Sequence, residues 1–384
     1  MAVRKLLGAS VFDLAVERLA ALYEQGHRLV VSFSGGKDSC CTLESAILAA
    51  RVTNRLPVDV VLQDEEIAYP GTYEYAERVA QRSEVSFNWL LMHQPMVNCY
   101  NRVAPYFWVH DLELQPSRWV REPPSSPECH VQEVNEKDIC RMTVPERFPP
   151  LPGKELYAVL GLRVQESRGR LYGLFQSKGH VTKPNKFGVR SVRPIYDWRS
   201  ADVWKAIKDN HWDYNHAYDT FHSLGVKAQA LRIGPPTMNA WGIDLLTKAA
   251  QAWPSWFDRV CRRLPGVRTA AMFGQRSVQA TRRMGESWEE CFTRVCIADA
   301  PVWIRERATR YRDIILHMHA HHATTSFPEV RPCHHCQGNN GSWKGITLAL
   351  YNGDPFSTRA VALPYVEPDF FRAGAGKWSG APSW

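Results

Sequence analysis

The sequence lacks any run of 18 uncharged apolar residues, so we predict that no segment spans a membrane. Asp13, Glu17 and Arg18 interrupt the apolar character soon after the start, MAVRKLLGAS, so we expect no secretion signal. Without such a signal, ten cysteines among 384 residues favour reduced thiols or metal ligands over a disulfide framework. We therefore expect a cytoplasmic protein without a membrane partner.

A Walker loop is absent too, since that loop needs four residues between its first glycine and the Gly-Lys-Ser/Thr triplet. The sequence instead has SGGKDS at residues 34–39, between a Val-rich stretch at 28–33 and a helical pattern at 40–50. Paired glycines let the backbone approach a ligand closely, and the free N–H groups at a helix start attract anions. Lys37 adds a positive charge and the two serines add hydroxyl donors. This pattern predicts a phosphate-binding turn.

Further apolar stretches at 58–63, 87–92 and 156–162 read as buried strands, and a helical pattern at 72–84 separates two of them. Alternating strands and helices predict an α/β fold with a doubly wound, mainly parallel sheet. Ligands of such sheets lie at the carboxyl ends of the strands. The glycine-containing turn, Asp64 and Arg163 all follow predicted strands, so we expect them at that edge.

Several segments resemble a known superfamily. SGGKDS at 34–39 resembles the loop of the N-type ATP pyrophosphatases, the PP-loop superfamily. GLRVQESRGR at 161–170, PIYDW at 194–198 and YNHAYD at 214–219 are similar to segments of its PAPS-reductase and sulfate-adenylyltransferase-like branch. The resemblance implies an adenine nucleotide α-hydrolase-like fold over residues 1–225. It fades beyond them, where we predict a second, mostly helical and cysteine-containing region at 226–384.

The resemblance also implies a reaction. Members of the superfamily cleave ATP between its α- and β-phosphates, release pyrophosphate and adenylylate a substrate. Catalytic roles fall to Lys37, Asp38 and Arg163, and Asp38 or Asp64 is expected to order Mg²⁺. The implied ATP contacts are Ser34, Gly35, Gly36, Lys37, Asp38, Ser39, Asp64, Gly161 and Arg163. A purely structural role in ion pairs is the alternative for Asp64, Arg163 and Asp197.

The E-C-G-x-H-like tail that carries the nucleophilic cysteine of PAPS reductases is missing, and the last cysteine here is Cys336. Those reductases also lack an intact SGGKDS loop, because they do not cleave ATP. Both departures disfavour reduction of PAPS. The favoured prediction is therefore an enzyme that adenylylates its substrate.

The C-terminal region contains two further patterns. Residues 259–312 hold 12 arginines, no lysine and 5 acidic residues, which suits phosphate recognition or else a solvated helical surface. Cys333 and Cys336 form a C-x-x-C pair that can bind one metal ion with two more ligands. The predicted set adds Cys291 and Cys296 and would hold Zn²⁺ or an iron–sulfur cluster. Other partners for the pair are His317 with His321 or Cys129 with Cys140, and a metal-free dithiol is also open.

Two of these features, the arginines and the cysteines, favour a nucleic-acid substrate. The chain resembles the ATP-pyrophosphatase subunit of DNA phosphorothioation systems and PAPS-reductase-family proteins encoded beside ParB-like partners. The first hypothesis is activation of DNA for sulfur insertion, with a sulfur-donor or ParB-like partner. The second is a sulfate-adenylyltransferase-like enzyme, and the third is a regulator that binds ATP without turnover.

Overall fold

The structure is a computed structural model that describes residues 8–134, 143–227, 231–234, 236, 242–274 and 278–372. The chain forms two compact units: unit 1 comprises Met1–Gln94 and Val109–Pro235, and unit 2 comprises Pro95–Trp108 and Pro236–Trp384. The domain boundary at residue 225 stays a prediction. Among the described residues, no helix has the length and apolar character needed to cross a bilayer.

Unit 1 is built on a six-stranded sheet and unit 2 contains a two-stranded antiparallel hairpin, β4–β5. The large sheet has the order β6-β3-β2-β1-β7-β8, and its neighbouring strands are parallel. The strands are β1 Arg28–Phe33, β2 Val58–Asp64, β3 Val85–Met92, β4 Pro95–Val97, β5 Tyr106–Trp108, β6 Val131–Val134, β7 Leu156–Leu160 and β8 Arg190–Val192.

One helix of unit 1 precedes its first strand and the others come between or after its strands, whereas unit 2 is mostly helical. In unit 1 they are α1 Val11–Glu24, α2 Lys37–Val52, α3 Pro70–Ala80, α4 Arg168–Gln176, α5 Ser200–Asp209 and α6 Ala217–Ser223. In unit 2 they are α7 Ile243–Ala252, α8 Pro254–Arg263, α9 Val267–Phe273, α10 Trp288–Phe292, α11 Val302–His322, α12 Trp343–Leu350 and α13 Asp369–Arg372.

The large sheet has an apolar core on each face, because side chains alternate along each strand. On one face, Val31 of β1 packs with residues of α1, α2, α3 and α5. On the other, Val30 packs with Val61, Phe148 and Val189. The strand order reverses at β1, which pairs with β2 on one side and β7 on the other. Such a switch point opens a crevice at the carboxyl ends of the two central strands.

These observations confirm the predicted fold class: a parallel, doubly wound α/β sheet with a helical, cysteine-containing C-terminal region. The stretch at 100–152, for which the sequence predicts no strand, contains two short ones, β5 and β6, and β6 is partly exposed. The spacing of apolar residues in the C-terminal region predicts one helix over 241–264 and mainly helix over 287–322, and the structure interrupts both. Pro254 begins α8, so the helical pattern at 241–264 becomes α7 and α8. A π-helical turn at Thr293–Ala298 and Pro301 divide the pattern at 287–322.

Candidate functional site

The glycine loop, residues 34–39, joins β1 to α2 at the carboxyl end of β1. Gly35 has a φ of +69°, and a Cβ there would lie 2.6 Å from Thr72 Cγ2. Both the positive φ and the close approach require glycine. The Ser39 hydroxyl donates to Gly36 O at 2.9 Å, and this bond holds the loop against the first turn of α2.

Two residues of the YNHAYD segment hold the glycine loop from outside. Asn215 Nδ2 donates to Gly35 O at 3.0 Å and to Thr72 Oγ1 at 2.9 Å. The Lys37 amide donates to Tyr218 Oη at 3.0 Å. The sequence analysis quoted this segment without assigning these residues a role. The YNHAYD motif was the feature that could have identified them: it places Asn215, just before α6, and Tyr218, in the first turn of α6, beside the glycine loop.

The three residues predicted to be catalytic lie together. Arg163, after β7, is 3% exposed, and its Nε and Nη2 donate to Asp38 Oδ1 at 2.8 Å and Oδ2 at 3.3 Å. Lys37 Nζ lies 3.5 Å from Asp38 Oδ2. A Cβ at Gly161 would come within 3.0 Å of the Asp38 carbonyl, so glycine permits this approach. One carboxylate is thus shared between two cations.

Electrostatics within this group favour ligand anions. Burial lowers the pKa of Lys37, an effect that Asp38 opposes and Arg163 reinforces. Because Asp38 serves two cations, the Lys37–Asp38–Arg163 group carries a formal net charge of about +1 at neutral pH. A phosphate oxygen entering here would meet donors that are already positioned.

A cavity of about 1020 Å³ opens beside this group, and residues of unit 1 line it. Ligand pockets usually measure about 300 to 1000 Å³, so a nucleotide fits. Its apolar lining includes Phe33, Leu62, Ala68, Leu160 and Ile233. Its charged lining consists of the cations Lys37, Arg163, Arg170 and Arg232 and the carboxylates Asp38, Glu65 and Glu166.

Asp64, predicted to contact ATP or Mg²⁺, is fully buried and does not line this cavity. Its carboxylate accepts hydrogen bonds from Tyr73 Oη at 2.9 Å, Trp89 Nε1 at 2.8 Å and Arg121 Nη1 at 3.0 Å. His110 Nε2 lies 3.2 Å away. Burial alone would raise the pKa of Asp64, but its hydrogen bond with His110 and the charges of His110 and Arg121 hold that pKa well below the usual range. The geometry therefore favours the structural alternative for Asp64.

Glu65 is the carboxylate that faces the cavity at the end of β2. Burial, reinforced by the charge of Asp64, raises the pKa of Glu65 to about 8. In the described state Glu65 is therefore mainly protonated at neutral pH. The sequence analysis singled out the first acid of Asp64-Glu65-Glu66 because it ends the strand pattern, and only the tertiary structure distinguishes the two neighbours.

Asp197 also has a structural place. Arg18 of α1 forms two hydrogen bonds with its carboxylate, at 3.0 and 2.6 Å, and a third with Pro194 O at 2.6 Å. The neighbouring Trp198 donates from Nε1 to Val11 O at 2.9 Å. The PIYDW segment thus attaches α1 to the rest of unit 1.

Two cations of the cavity were not singled out from sequence. Arg170 belongs to the GLRVQESRGR segment and forms an ion pair with Glu166. Arg232 lies in the segment 231–234, beyond the region of resemblance, and no motif marks it. Arg232 is identified only by the tertiary structure, in which residues 231–234 line the cavity.

The predicted metal ligands separate into two places in unit 2. Cys333 and Cys336 lie beside His319, whose Nδ1 is 3.6 Å from the first sulfur and 3.7 Å from the second. Cys291 and Cys296 do not join them: both are fully buried in an apolar cluster. Their thiols contact the carbonyls of Thr281 and Thr347 at 3.7 and 3.8 Å.

The alternative ligand sets do not match this arrangement either. His317 and His321 are outside the group of ligand atoms that the described residues bring together, although they lie on the same helix as His319. Cys129 is fully buried and packs in the main core of unit 1. Cys140 lies outside the described residues. His317 and His321 were chosen from sequence because residues four apart share one helix face. Helical spacing does not tell which histidine faces the cysteine pair, so His319 was not predicted.

Many arginines of the 259–312 block form ion pairs or hydrogen bonds within unit 2. Arg294 binds Glu286 at 2.7 and 2.8 Å, and Arg262 and Arg268 pair with Asp258. Arg307 is 2% exposed and donates to three backbone carbonyls and one hydroxyl. Binding of nucleic acid by this block stays a prediction.

No family model matches the chain. It is 23% identical over 394 residues to the uncharacterized protein YbdN of Escherichia coli K12, an alignment covering 92% of this chain and 91% of that protein. It is also 23% identical over 235 residues to the uncharacterized protein MJ0973 of Methanocaldococcus jannaschii, covering 58% of this chain and 49% of that protein.

Two solved structures show limited likeness. FMN adenylyltransferase of Candida glabrata in complex with ATP has a TM-score of 0.33 and 12% identity, and the likeness covers 57% of this chain and 62% of that chain. PAPS reductase from Candida auris, as a phosphate complex, has a TM-score of 0.32 and 14% identity, with 61% and 98% covered. The chain thus spans less than two thirds of the adenylyltransferase. The strand order and register, rather than these likenesses, establish the fold.

Proposed function

We propose that unit 1 is an ATP pyrophosphatase of the PP-loop type, which cleaves ATP to AMP and pyrophosphate while adenylylating an acceptor. The supporting observation is the convergence of the glycine loop, Lys37 and the Arg163–Asp38 pair on one cavity at the switch point of the sheet. An acceptor oxygen would attack the α-phosphorus as the bond to the bridging oxygen of the β-phosphate breaks. Pyrophosphate then leaves with that electron pair.

In this proposal the protein acts mainly by positioning and electrostatics. Amides of the glycine loop, with Ser34 and Ser39, would bind the departing pyrophosphate, and Lys37 would neutralise its growing charge. Arg163 would stabilise the α-phosphate as it becomes five-coordinate. Its bond to Asp38 fixes the guanidinium before ATP arrives.

The proposed cofactor is Mg²⁺, which when bound would offset phosphate charge. Magnesium usually takes one or two protein carboxylates together with phosphate oxygens. Glu65 lines the cavity and fits that requirement, and Asp38 lines it as well although Arg163 and Lys37 already contact its carboxylate. Asp64 is enclosed by its own hydrogen bonds away from the cavity. Approach of the cation would also favour the ionised form of Glu65.

A nucleic-acid acceptor is supported by a segment of unit 1 that the sequence analysis did not weigh. Residues 168–193 contain seven Lys or Arg and no acid. On α4, Tyr172 and Phe175 are 64% and 67% exposed and share one helix face. Exposed aromatics among cations suit stacking on single-stranded bases. Because Arg170 of the same helix lines the cavity, this surface leads from solvent to the proposed ATP site.

The alternatives are a sulfate-adenylyltransferase-like enzyme and a regulator without turnover. A sulfate acceptor needs no extended basic surface, and a regulator needs no preorganised cation beside the scissile phosphate. A sulfur-donor or ParB-like partner is kept as part of the nucleic-acid proposal.

The first experiment is ³¹P NMR of ATP incubated with Mg²⁺ and the protein, alone, with sulfate, or with single- or double-stranded DNA. Pyrophosphate is the expected product, stimulated by one acceptor, with the AMP moiety either joined to that acceptor or released from it by water. Lys37→Ala should lower pyrophosphate release about 100- to 1000-fold, while substitution of Lys205, an exposed lysine paired with Asp209, by alanine is the matched control. ADP and phosphate would contradict the proposal, and tight ATP binding without any turnover would favour the regulator.

A second experiment tests the acceptor separately. Fluorescence anisotropy of labelled single-stranded DNA, measured over a salt series, should give a steep salt dependence. Lys178→Glu with Lys183→Glu should weaken binding and flatten the slope. Arg310→Glu with Arg312→Glu makes the same charge change in unit 2. A larger loss of DNA affinity in this second variant would instead indicate that the arginine block at 259–312 binds the DNA.

A further inference from the structure

A second site lies in unit 2, where three ligand atoms from distant sequence positions converge. His319 Nδ1, Cys333 Sγ and Cys336 Sγ are all within 4.8 Å of one another. The two sulfur–nitrogen distances are 3.6 and 3.7 Å. A tetrahedral zinc ion with its usual bond lengths to sulfur and nitrogen places these atoms about 3.6 Å apart. The two sulfur–nitrogen distances therefore match those around one such ion.

The backbone holds the two cysteines in this geometry. Cys333 precedes a 3₁₀ turn, His334–Asn339, and the Cys336 amide donates to Cys333 O at 3.1 Å. The Gly341 amide then donates to Cys336 O at 3.1 Å. A Cβ at Gly341 would lie 2.1 Å from Cys336 Cβ, so only glycine allows the chain to fold back here. This turn is preformed by contacts that do not involve the thiols.

The histidine is oriented as a ligand would be. His319 is 3% exposed, and its Nε2 lies 3.0 Å from Thr325 O, so this nitrogen carries the hydrogen and donates it to the carbonyl. The Nδ1 lone pair is then free of a proton and points toward both sulfurs. Phe327 packs edge-to-face on the ring at 5.4 Å. Metal-binding histidines commonly donate their second nitrogen to a carbonyl in this way.

The donor set distinguishes between the candidate groups. An iron–sulfur cluster usually takes four thiolates, and Cys291 and Cys296 lie in the apolar cluster instead. Two thiolates and one neutral imidazole balance the charge of a single divalent ion. Zinc accepts mixed sulfur and nitrogen ligands in tetrahedral geometry.

We propose that His319, Cys333 and Cys336 bind one Zn²⁺ through Nδ1 and two thiolates, with water in the fourth position. The ion would join the end of α11 to the turn at 334–339. Residues 323–333 between them have neither helix nor strand, so a metal bridge would supply the order that secondary structure does not. This proposal does not depend on the proposed ATP chemistry.

The test is the metal content of the full-length protein, purified without a histidine tag and measured by inductively coupled plasma mass spectrometry. We expect one zinc per chain, and a loss to background in His319→Ala and Cys333→Ser. His317→Ala and His321→Ala remove neighbouring histidines of α11 and should retain the ion. Cys261→Ser, in α8, is the matched thiol control. Zinc loss in the histidine controls but not in His319→Ala would overturn the proposal.

Cobalt spectroscopy of the wild-type protein tests the same site even if the ligand variants do not fold. Cobalt replacing zinc in the wild-type protein should show a thiolate-to-cobalt charge-transfer band and the visible bands of tetrahedral coordination. His319→Cys should bind cobalt again with a stronger charge-transfer band, because it adds a third thiolate. Stoichiometric iron with sulfide, a Cys333–Cys336 disulfide in the freshly purified metal-free protein, or dependence on Cys291 would each contradict the assignment.

Discussion

The two units use their arginines differently. In unit 1, Arg163 is held by one carboxylate and still lines a cavity large enough for a nucleotide. In unit 2, Arg307 is buried and its donors are directed at backbone carbonyls that no helix or strand satisfies. A high arginine count therefore does not by itself indicate a ligand site. It does so only where guanidinium N–H groups still face a cavity or solvent.

The largest expected effect is on turnover in unit 1. Lys37→Ala should lower the rate of pyrophosphate release about 100- to 1000-fold, the usual loss when one preorganised donor to a developing charge is removed. A coupled pyrophosphate assay at saturating ATP measures it. The Tm should change by only a few degrees, because the substitution removes a cation without emptying the core. Unchanged turnover would remove Lys37 from the proposed mechanism.

Unit 2 should respond in the opposite way. Arg307→Met leaves the Gly353 carbonyl without its donor and removes one of two donors from each of the Asp354 and Pro364 carbonyls, and we expect a stability loss of about 3 kcal/mol. Burial lowers the pKa of Arg307 to about 10, an effect that the charge of Asp354 opposes.

Chemical denaturation followed by circular dichroism would measure that loss. Arg312→Ala, beside Asp313 on the same helix, should cost less than about 0.5 kcal/mol. Pyrophosphate release by Arg307→Met should stay near the wild-type rate at temperatures where the protein remains folded. Equal destabilisation by both variants would contradict the contrast between buried and exposed arginines.

Arg163→Lys sharpens the same contrast within unit 1. Lysine keeps the charge but cannot reproduce the two-donor bond to Asp38, so the cation beside the α-phosphate loses its orientation. We expect a fall in kcat of about 10- to 100-fold with a smaller change in KM for ATP. Steady-state kinetics over an ATP series measures both, and a change in KM alone would indicate that Arg163 contributes only to binding.

The smallest predicted effect concerns pH. Because the pKa of Glu65 is raised to about 8, the folded state keeps a proton that the unfolded chain releases near pH 4.5. The unfolded state then binds fewer protons, and stability falls as pH rises through this interval. Glu65→Gln does not titrate, so its stability relative to wild type should increase from pH 5 to pH 8 and then level off.

Denaturation midpoints at pH 5, 6.5 and 8 test this expectation. Glu17→Gln, outside the cavity lining, is a control that should show no such trend. A constant difference between Glu65→Gln and wild type across the three values would show that Glu65 has an ordinary pKa in the folded protein.

The main strands and helices of unit 1 and the position of its glycine loop could be predicted from the sequence alone. Both depend on interactions between near neighbours: Val-rich strands, the positive φ of Gly35, and a helix that starts immediately after the loop. The order of these elements along the chain was enough to predict a parallel sheet and its ligand-binding edge, as the observed strand order confirms.

Which charged and sulfur-containing side chains come together depends instead on tertiary packing. Asp64 and Glu65 are adjacent in sequence, yet one is enclosed by His110, Arg121 and Trp89 while the other faces the cavity. The cysteine pair likewise meets His319 rather than Cys291 or Cys296. The direction of a side chain depends on packing against residues far along the chain, and neither composition nor local spacing contains that information.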